Sequence, residues 1–255
     1  MPLMIDPDPY EDVILRYELT ALFLLGDLRL ANGDLALTKD GDLQIGSPSY
    51  NAMFRLVQAW RLNAPAMRLM FDTVHELRRT KPEREKELDA IFGRGPANGR
   101  FLESDDVSLY HMVNDAIGAL EVSREALAGS LMIVISSLLD RFRNDLDASL
   151  KRWNLGNPSF GGYSAGQVVT AAANSFRHAD EWKKAQFSKK DATKEQRRSM
   201  DVIRSARGLA DGPQAYYASD ISEAVLDLLS EGDFERLAKV ILSFANGIAE
   251  EVKLT

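Results

Sequence analysis

From Ser104 to Trp153 no proline interrupts the chain, and apolar residues return every three or four positions through Val113, Ile117, Leu120, Leu127, Leu131, Val134, Leu138, Phe142, Leu146 and Leu150. That period belongs to an α-helix, because residues three and four apart share one helix face, whereas a strand alternates every second residue. The stretch predicts one very long helix, or a helix pair joined near Gly118 or Gly129, over about 104–153. An apolar stripe of that length has to be covered by other helices, so the expected fold class is an all-α helical bundle.

The flanking sequence carries further helix signals and one β signal. Asp8-Pro9-Tyr10-Glu11 places an acid at the N-cap, proline at the first helical position and glutamate at N3, which predicts a first helix running to about Leu30. Leu35 to Lys39, Asp40-Gly41 and Asp42 to Ile45 predict a small β-hairpin near 35–45. Ser47-Pro48 opens a helix through Trp60, Ala64-Pro65 begins a second that runs to Arg79, and a short charged helix from Pro82 to Phe92 follows Lys81-Pro82. Gly93-Arg94-Gly95-Pro96-Ala97-Asn98-Gly99 is the most loop-like stretch. If the chain has two domains, this stretch divides an N-terminal helical region with the hairpin, 1–99, from a C-terminal helical bundle, 100–255, the alternative being one continuous domain. Asn154 to Gly162 reads as a loop, and Ser164 with Gln167 forms a capping box for the next helix. Further helices are expected from Lys194 to about Arg207, from Ser219 to Leu229 and from Phe234 to Val252.

Hydrophobic residues at 45% and charged residues at 27% are the balance of a folding chain rather than a disordered one. The absence of cysteine excludes disulfides, thiolate metal sites and cysteine nucleophiles. The acidic, proline-containing N-terminus lacks the basic start of a secretory signal, and Leu19–Leu25 and Leu131–Leu139 fall short of the ~20 residues of a membrane span. A cytoplasmic protein without membrane insertion is therefore expected. A net charge of −7 argues against binding nucleic acid through bulk charge.

On the helix after Ser164, helical spacing places Asn174, His178 and Glu181 on one stripe with Arg177 beside them. An amide, an imidazole, a carboxylate and a guanidinium within two turns can move a proton and bind a phosphate oxygen. The same spacing also makes Arg177 and Glu181 an ordinary i, i+4 surface ion pair. His75-Glu76 lacks the second histidine of a zinc-protease motif, and His111 among Tyr110, Met112 and Val113 reads as a semi-buried structural histidine. No metal or cofactor site is expected.

The segment Ala173-Asn174-Ser175-Phe176-Arg177-His178-Ala179-Asp180-Glu181-Trp182 resembles the motif helix of the HEPN superfamily, compact helical bundles of bacterial toxin–antitoxin, abortive-infection and RNA-processing systems. The signature of that family is an arginine, then asparagine or another polar residue, then a few residues and a histidine. Asn174 matches the polar position and His178 the histidine, whereas Ala173 stands where the arginine is usual and Arg177 lies one turn further on. The resemblance implies a metal-independent endoribonuclease, working as a homodimer whose two motif helices build one cleft, or a catalytically degenerate relative that binds RNA or protein. It implies a neutralising or complex partner protein as well. In the active form His178 is the general acid or base, Arg177 binds the scissile phosphate, Asn174 and Glu181 position them, and the RNA 2′-hydroxyl is the nucleophile. Arg141, Arg143, Lys151 and Arg152, interleaved with Phe142 and Trp153, are the matching candidates for RNA binding, although cations near a helix C-terminus also complement its dipole. The reading from a different class is a non-enzymatic helical scaffold or protein-interaction module.

Overall fold

A computed structural model of the chain describes residues 7–23, 47–93, 104–179, 193–209 and 221–251, together with 30–31, 34–35, 37, 41, 43 and 181. Among these the architecture is all-α: α1 (Tyr10–Arg16), α2 (Pro48–Phe92), α3 (Ser104–Leu146), α4 (Leu150–Leu155), α5 (Ala165–Arg177), α6 (Lys194–Ala206), α7 (Ile221–Ser230) and α8 (Phe234–Glu251). Two small antiparallel ribbons accompany them, β1 (Leu30–Ala31) with β2 (Asp34–Leu35), and β3 (Ser159–Phe160) with β4 (Tyr163–Ser164).

Helix α1 is shorter than its sequence suggests. Its N-cap is Pro9, and Asp8 pairs with Arg16 instead of capping (Oδ2–Nη1 2.9 Å). The chain leaves the helix after Arg16 because Glu18 takes a left-handed conformation (φ 54). The Glu18 and Leu19 amides then turn back to the Leu15 and Ile14 carbonyls at 3.3 and 3.0 Å. This closure satisfies the last carbonyls and drops Leu19 into the core. A single 3-10 turn, Thr20–Leu22, follows. It is clasped to α8, where the Asn246 side chain accepts from the Ala21 amide (2.9 Å) and donates to the Thr20 hydroxyl (3.0 Å). Residues 24–29, where the expected first helix would have ended, and Asn32-Gly33 lie outside the described residues. Of the hairpin expected near 35–45, Leu37 pairs antiparallel with Leu43 around Gly41 (φ 86), and the remaining turn residues lie outside the description.

The three helices expected between Ser47 and Phe92 are one. Ser47 caps α2 by accepting from the Tyr50 amide (3.1 Å), and the helix runs through Pro65 and Pro82 to Phe92. An internal proline costs a helix about 3 kcal/mol, and around Pro65 tertiary burial offsets that cost. Met53, Leu56, Val57 and Trp60 precede Pro65 and Met67, Phe71 and Val74 follow it, all buried on one side. The opposing helix is α3, which lies antiparallel to α2. Arg55 meets Asp145 (3.6 Å), Lys81 meets Glu121 (2.6 Å) and the Phe92 ring meets that of Tyr110 (5.0 Å).

Helix α3 is likewise unbroken at Gly118 and Gly129, but it ends at Leu146 rather than near Trp153. Asp147 adopts φ 53 while the Asp147 and Ala148 amides return to the Asn144 and Arg143 carbonyls. Ser149 then caps the separate helix α4. By length and composition α3 could cross a membrane, a property the short run Leu131–Leu139 does not reveal. Leu131, Met132, Ile135 and Leu139 on it are buried in the bundle.

The loop expected from Asn154 to Gly162 contains the second ribbon. Gly161 and Gly162 (φ 55 and 85) make its two-residue turn, and a Cβ on Gly161 would lie 2.0 Å from the Ser205 carbonyl oxygen. The capping box expected at Ser164 and Gln167 is present, with both bonds made, and opens α5.

Helix α5 is the axis of the bundle: α3, α6, α7 and α8 all pack on it. Its buried residues are small, including Ala165, Gly166, Val168, Ala172 and Ala173, which lets neighbouring helices approach closely. Residues from Val13 to Ala249 join one hydrophobic cluster, which draws on both sides of the boundary expected at Gly93–Gly99. Residues 94–99, Gly212, Pro213 and Ser219 lie outside the described residues.

One buried charge network ties three helices. Glu223 on α7, 3% exposed, accepts from Arg78 of α2 (Nε 2.7 Å) and from Arg124 of α3 (Nη2 2.7 Å), and Arg78 also pairs with Asp227 (Nη2–Oδ2 2.6 Å). Neutralising one member of such a network leaves a desolvated charge, so Glu223→Gln is expected to cost about 3 kcal/mol in chemical denaturation. The contact between α3 and α5 gives a second expectation. A Cβ on Gly129 would sit 2.2 Å from the Phe176 ring, so Gly129→Ala should destabilise by about 1–3 kcal/mol through overpacking. Adding Phe176→Ala should then cost less than it does in the parent, and strict additivity would show that the two residues do not share one contact.

Candidate functional site

The expected polar stripe lies where α5 ends. Arg177 is the last helical residue and His178 is the C-cap (φ −115, ψ 28), with its amide on the Asn174 carbonyl at 3.1 Å. Glu181 is therefore not carried on the same helix as Asn174. It meets His178 across the helix end (Nδ1–Oε2 3.4 Å) with both side chains more than half exposed. The surface pair in this segment is thus His178 with Glu181. Asn174 is half-buried and Arg177 exposed. Ala173, at the position where HEPN-like helices carry arginine, is fully buried. Asp180 and Trp182 lie outside the described residues.

The four cations expected to hold RNA are spread over different duties. Arg143 lies over the Trp153 ring (5.7 Å to the centroid) and reaches the Ala148 carbonyl (3.5 Å), bracing the α3–α4 corner. Arg152 donates to the Ile248 carbonyl of α8. Arg141 pairs with Asp145 (3.5 Å), and Lys151 is exposed. Arg143 and Arg152 therefore hold tertiary structure together. Among the described residues no group of three or more His, Asp or Glu is placed to hold a metal ion.

A more enclosed arrangement occurs elsewhere. Asp8, Val13 and Tyr17 from the N-terminal segment, the middle of α2 and the first turn of α8 surround a cleft of about 260 Å3. Trp60, Ala64, Pro65 and Phe234 give it an apolar floor, and Arg61, Arg68, Leu69, Asp72 and Glu235 form its rim. Glu235 is the electrostatic hub. The Tyr17 hydroxyl donates to Oε2 at 2.6 Å, Arg68 donates to Oε1, and Arg16 stands 3.5 Å away. Arg68 also covers the Phe234 ring at 4.5 Å from its centroid. Partial burial alone would raise the Glu235 pKa, but hydrogen bonds from Tyr17 and Arg68 and the charges of Arg68 and Arg16 hold it below the usual value of 4.5. Tyr17 moves the other way: burial and its bond to Glu235 push its phenol upward.

In the sequence Asp8, Trp60, Ala64, Pro65 and Phe234 signal only helix boundaries, and no motif marks the cleft they share. Tyr17 and Glu235 are 218 positions apart, and neither sits in a motif. Only the helix packing brings them together. Compared with protein-family models, with curated proteins and with solved structures, the chain matches none.

The depressed Glu235 pKa carries a pH dependence with a definite sign. A carboxylate bound more tightly in the folded state stabilises above its unfolded pKa, near 4.5, and that stability is lost as pH falls through the lower folded value. Glu235→Gln is expected to lower stability at pH 7 and to flatten the decline below pH 4.5. Thermal unfolding of the two proteins from neutral to acidic pH measures this, and parallel profiles would show that Glu235 carries no linkage.

Proposed function

We propose that this protein is a non-enzymatic helical interaction module, and that its HEPN-like segment serves packing rather than RNA cleavage. The observation that supports this most is the complete burial of Ala173 on the central helix. At the position where an active relative would extend a phosphate-binding guanidinium, this chain has a methyl group enclosed by the bundle. The surface offered for interaction is the outer half of the α2–α3 pair. On α2 no apolar residue is buried between Val74 and Ile91, and on α3 none between Val113 and Ala128, among the described residues. Phe92, Met112 and Val122 are exposed there. Two antiparallel helices reaching past their supporting bundle present a firm, partly apolar face of the kind protein partners use.

A second reading keeps the enzymatic side of the resemblance: a HEPN-like, metal-independent endoribonuclease of a bacterial defence or toxin–antitoxin system, cytoplasmic, homodimeric and paired with a neutralising protein. What favours it is the His178–Glu181 pair at the end of α5, next in sequence to Arg177 and one turn from Asn174, with the imidazole open to solvent.

One experiment separates the two. Purified protein and His178→Ala are incubated with labelled single-stranded RNA in the presence of EDTA, and the fragments are resolved. The interaction module predicts no cleavage by either protein. Cleavage by the parent that is lost in His178→Ala establishes the nuclease and overturns the first reading.

A further inference from the structure

The rim of the cleft between the N-terminal segment, α2 and α8 holds charges that are not equivalent. Glu235 is neutralised by Arg68 and Arg16, and Asp8 is neutralised by Arg16 (2.9 Å). Arg61 is different. Its Nε donates to the Asp8 carbonyl and its Nη1 to the Gln58 amide oxygen at 2.7 Å, and both partners are neutral. Among the described residues no carboxylate pairs with it. The two bonds use two of the five N–H donors of the guanidinium and fix its stem, leaving the two donors on Nη2 and one on Nη1 for an anion such as a carboxylate or a phosphate.

The same cleft has the apolar floor of Trp60, Ala64, Pro65 and Phe234. A volume of about 260 Å3 lies just under the range of about 300–1,000 Å3 for drug-sized ligands, which limits the occupant to a compact molecule.

We propose that this cleft binds a small aromatic carboxylic acid, with its carboxylate on Arg61 and its ring on Trp60, Pro65 and Phe234. Phosphate esters are disfavoured because the acidic Asp72 stands on the same rim, and a doubly charged group meets more repulsion there than a single carboxylate. The ligand touches α1, α2 and α8 at once, so binding adds to the fastening of the N-terminal segment.

Three ring compounds of nearly equal shape test the charge assignment: benzoate, neutral benzamide and cationic benzamidine, each titrated into the full chain by calorimetry and by tryptophan fluorescence. Saturable binding of benzoate, weaker binding of benzamide and the weakest of benzamidine are expected. Arg61→Gln should weaken benzoate about tenfold, the size of one lost charge-assisted hydrogen bond, and leave benzamide unchanged. Arg61→Lys should fall between, and both free variants should keep a cooperative melting transition, showing that each folds, with a midpoint lowered a little by loss of the bond to the Asp8 carbonyl. Benzamidine binding as tightly as benzoate, equal benzoate affinity in Arg61→Gln, or no saturable binding of any of the three would overturn the assignment. None of these outcomes depends on RNA cleavage.

Discussion

Close approach of helices around α5 is the constraint from which most of this structure follows. Alanine, glycine and valine occupy its buried positions, so the surrounding helices come near enough for large side chains to lie over its small ones. A Cβ on Gly166 would stand 2.6 Å from the Trp153 ring and 2.7 Å from that of Phe244, and those two rings meet edge to face at 4.8 Å. Gly156 and Gly129 make room for Phe244 and Phe176 in the same way. A core built by this interlocking is intolerant of added volume. It also turns residues that spacing would assign to two faces of one helix into residues buried on nearly every side.

Polar clasps then fasten the periphery to this core. Glu223 gathers Arg78 and Arg124, so α7 holds the two long helices at the point where they leave the bundle. At the other end Asn246 and Glu235 of α8 hold the N-terminal segment through Ala21, Thr20 and Tyr17. In each case a side chain from the end of the chain satisfies groups from its beginning or middle. The cleft beside Arg61 exists because of this fastening, since one of its walls is the segment so held.

Some helix starts were legible from local chemistry alone. Ser47-Pro48 and the Ser164–Gln167 box appear as read, because capping involves residues three apart and needs no tertiary partner. The failures have a common form. Pro65 and Pro82 signal breaks, yet α2 passes through both, and around Pro65 burial on either side outweighs the local cost. Glu18 and Asp147 carry no signal, yet both adopt left-handed conformations that end helices earlier than the apolar period implies. Gly161-Gly162 did hold a readable turn signal, obscured by the shortness of its flanking strands. The stripe of Asn174, His178 and Glu181 was drawn on an unending helix, and the helix stops at Arg177.

By itself the sequence determined the fold class, the helix starts at Ser47 and Ser164 and the apolar faces, since each rests on interactions spanning only a few residues. Tertiary structure alone decided that Ala173 is enclosed, that Arg143 and Arg152 brace corners of the bundle, and that Tyr17, Arg61 and Glu235 share a cleft. Contacts between residues far apart in the chain depend on which helix faces meet and how closely, and small side chains set that distance without leaving a motif behind.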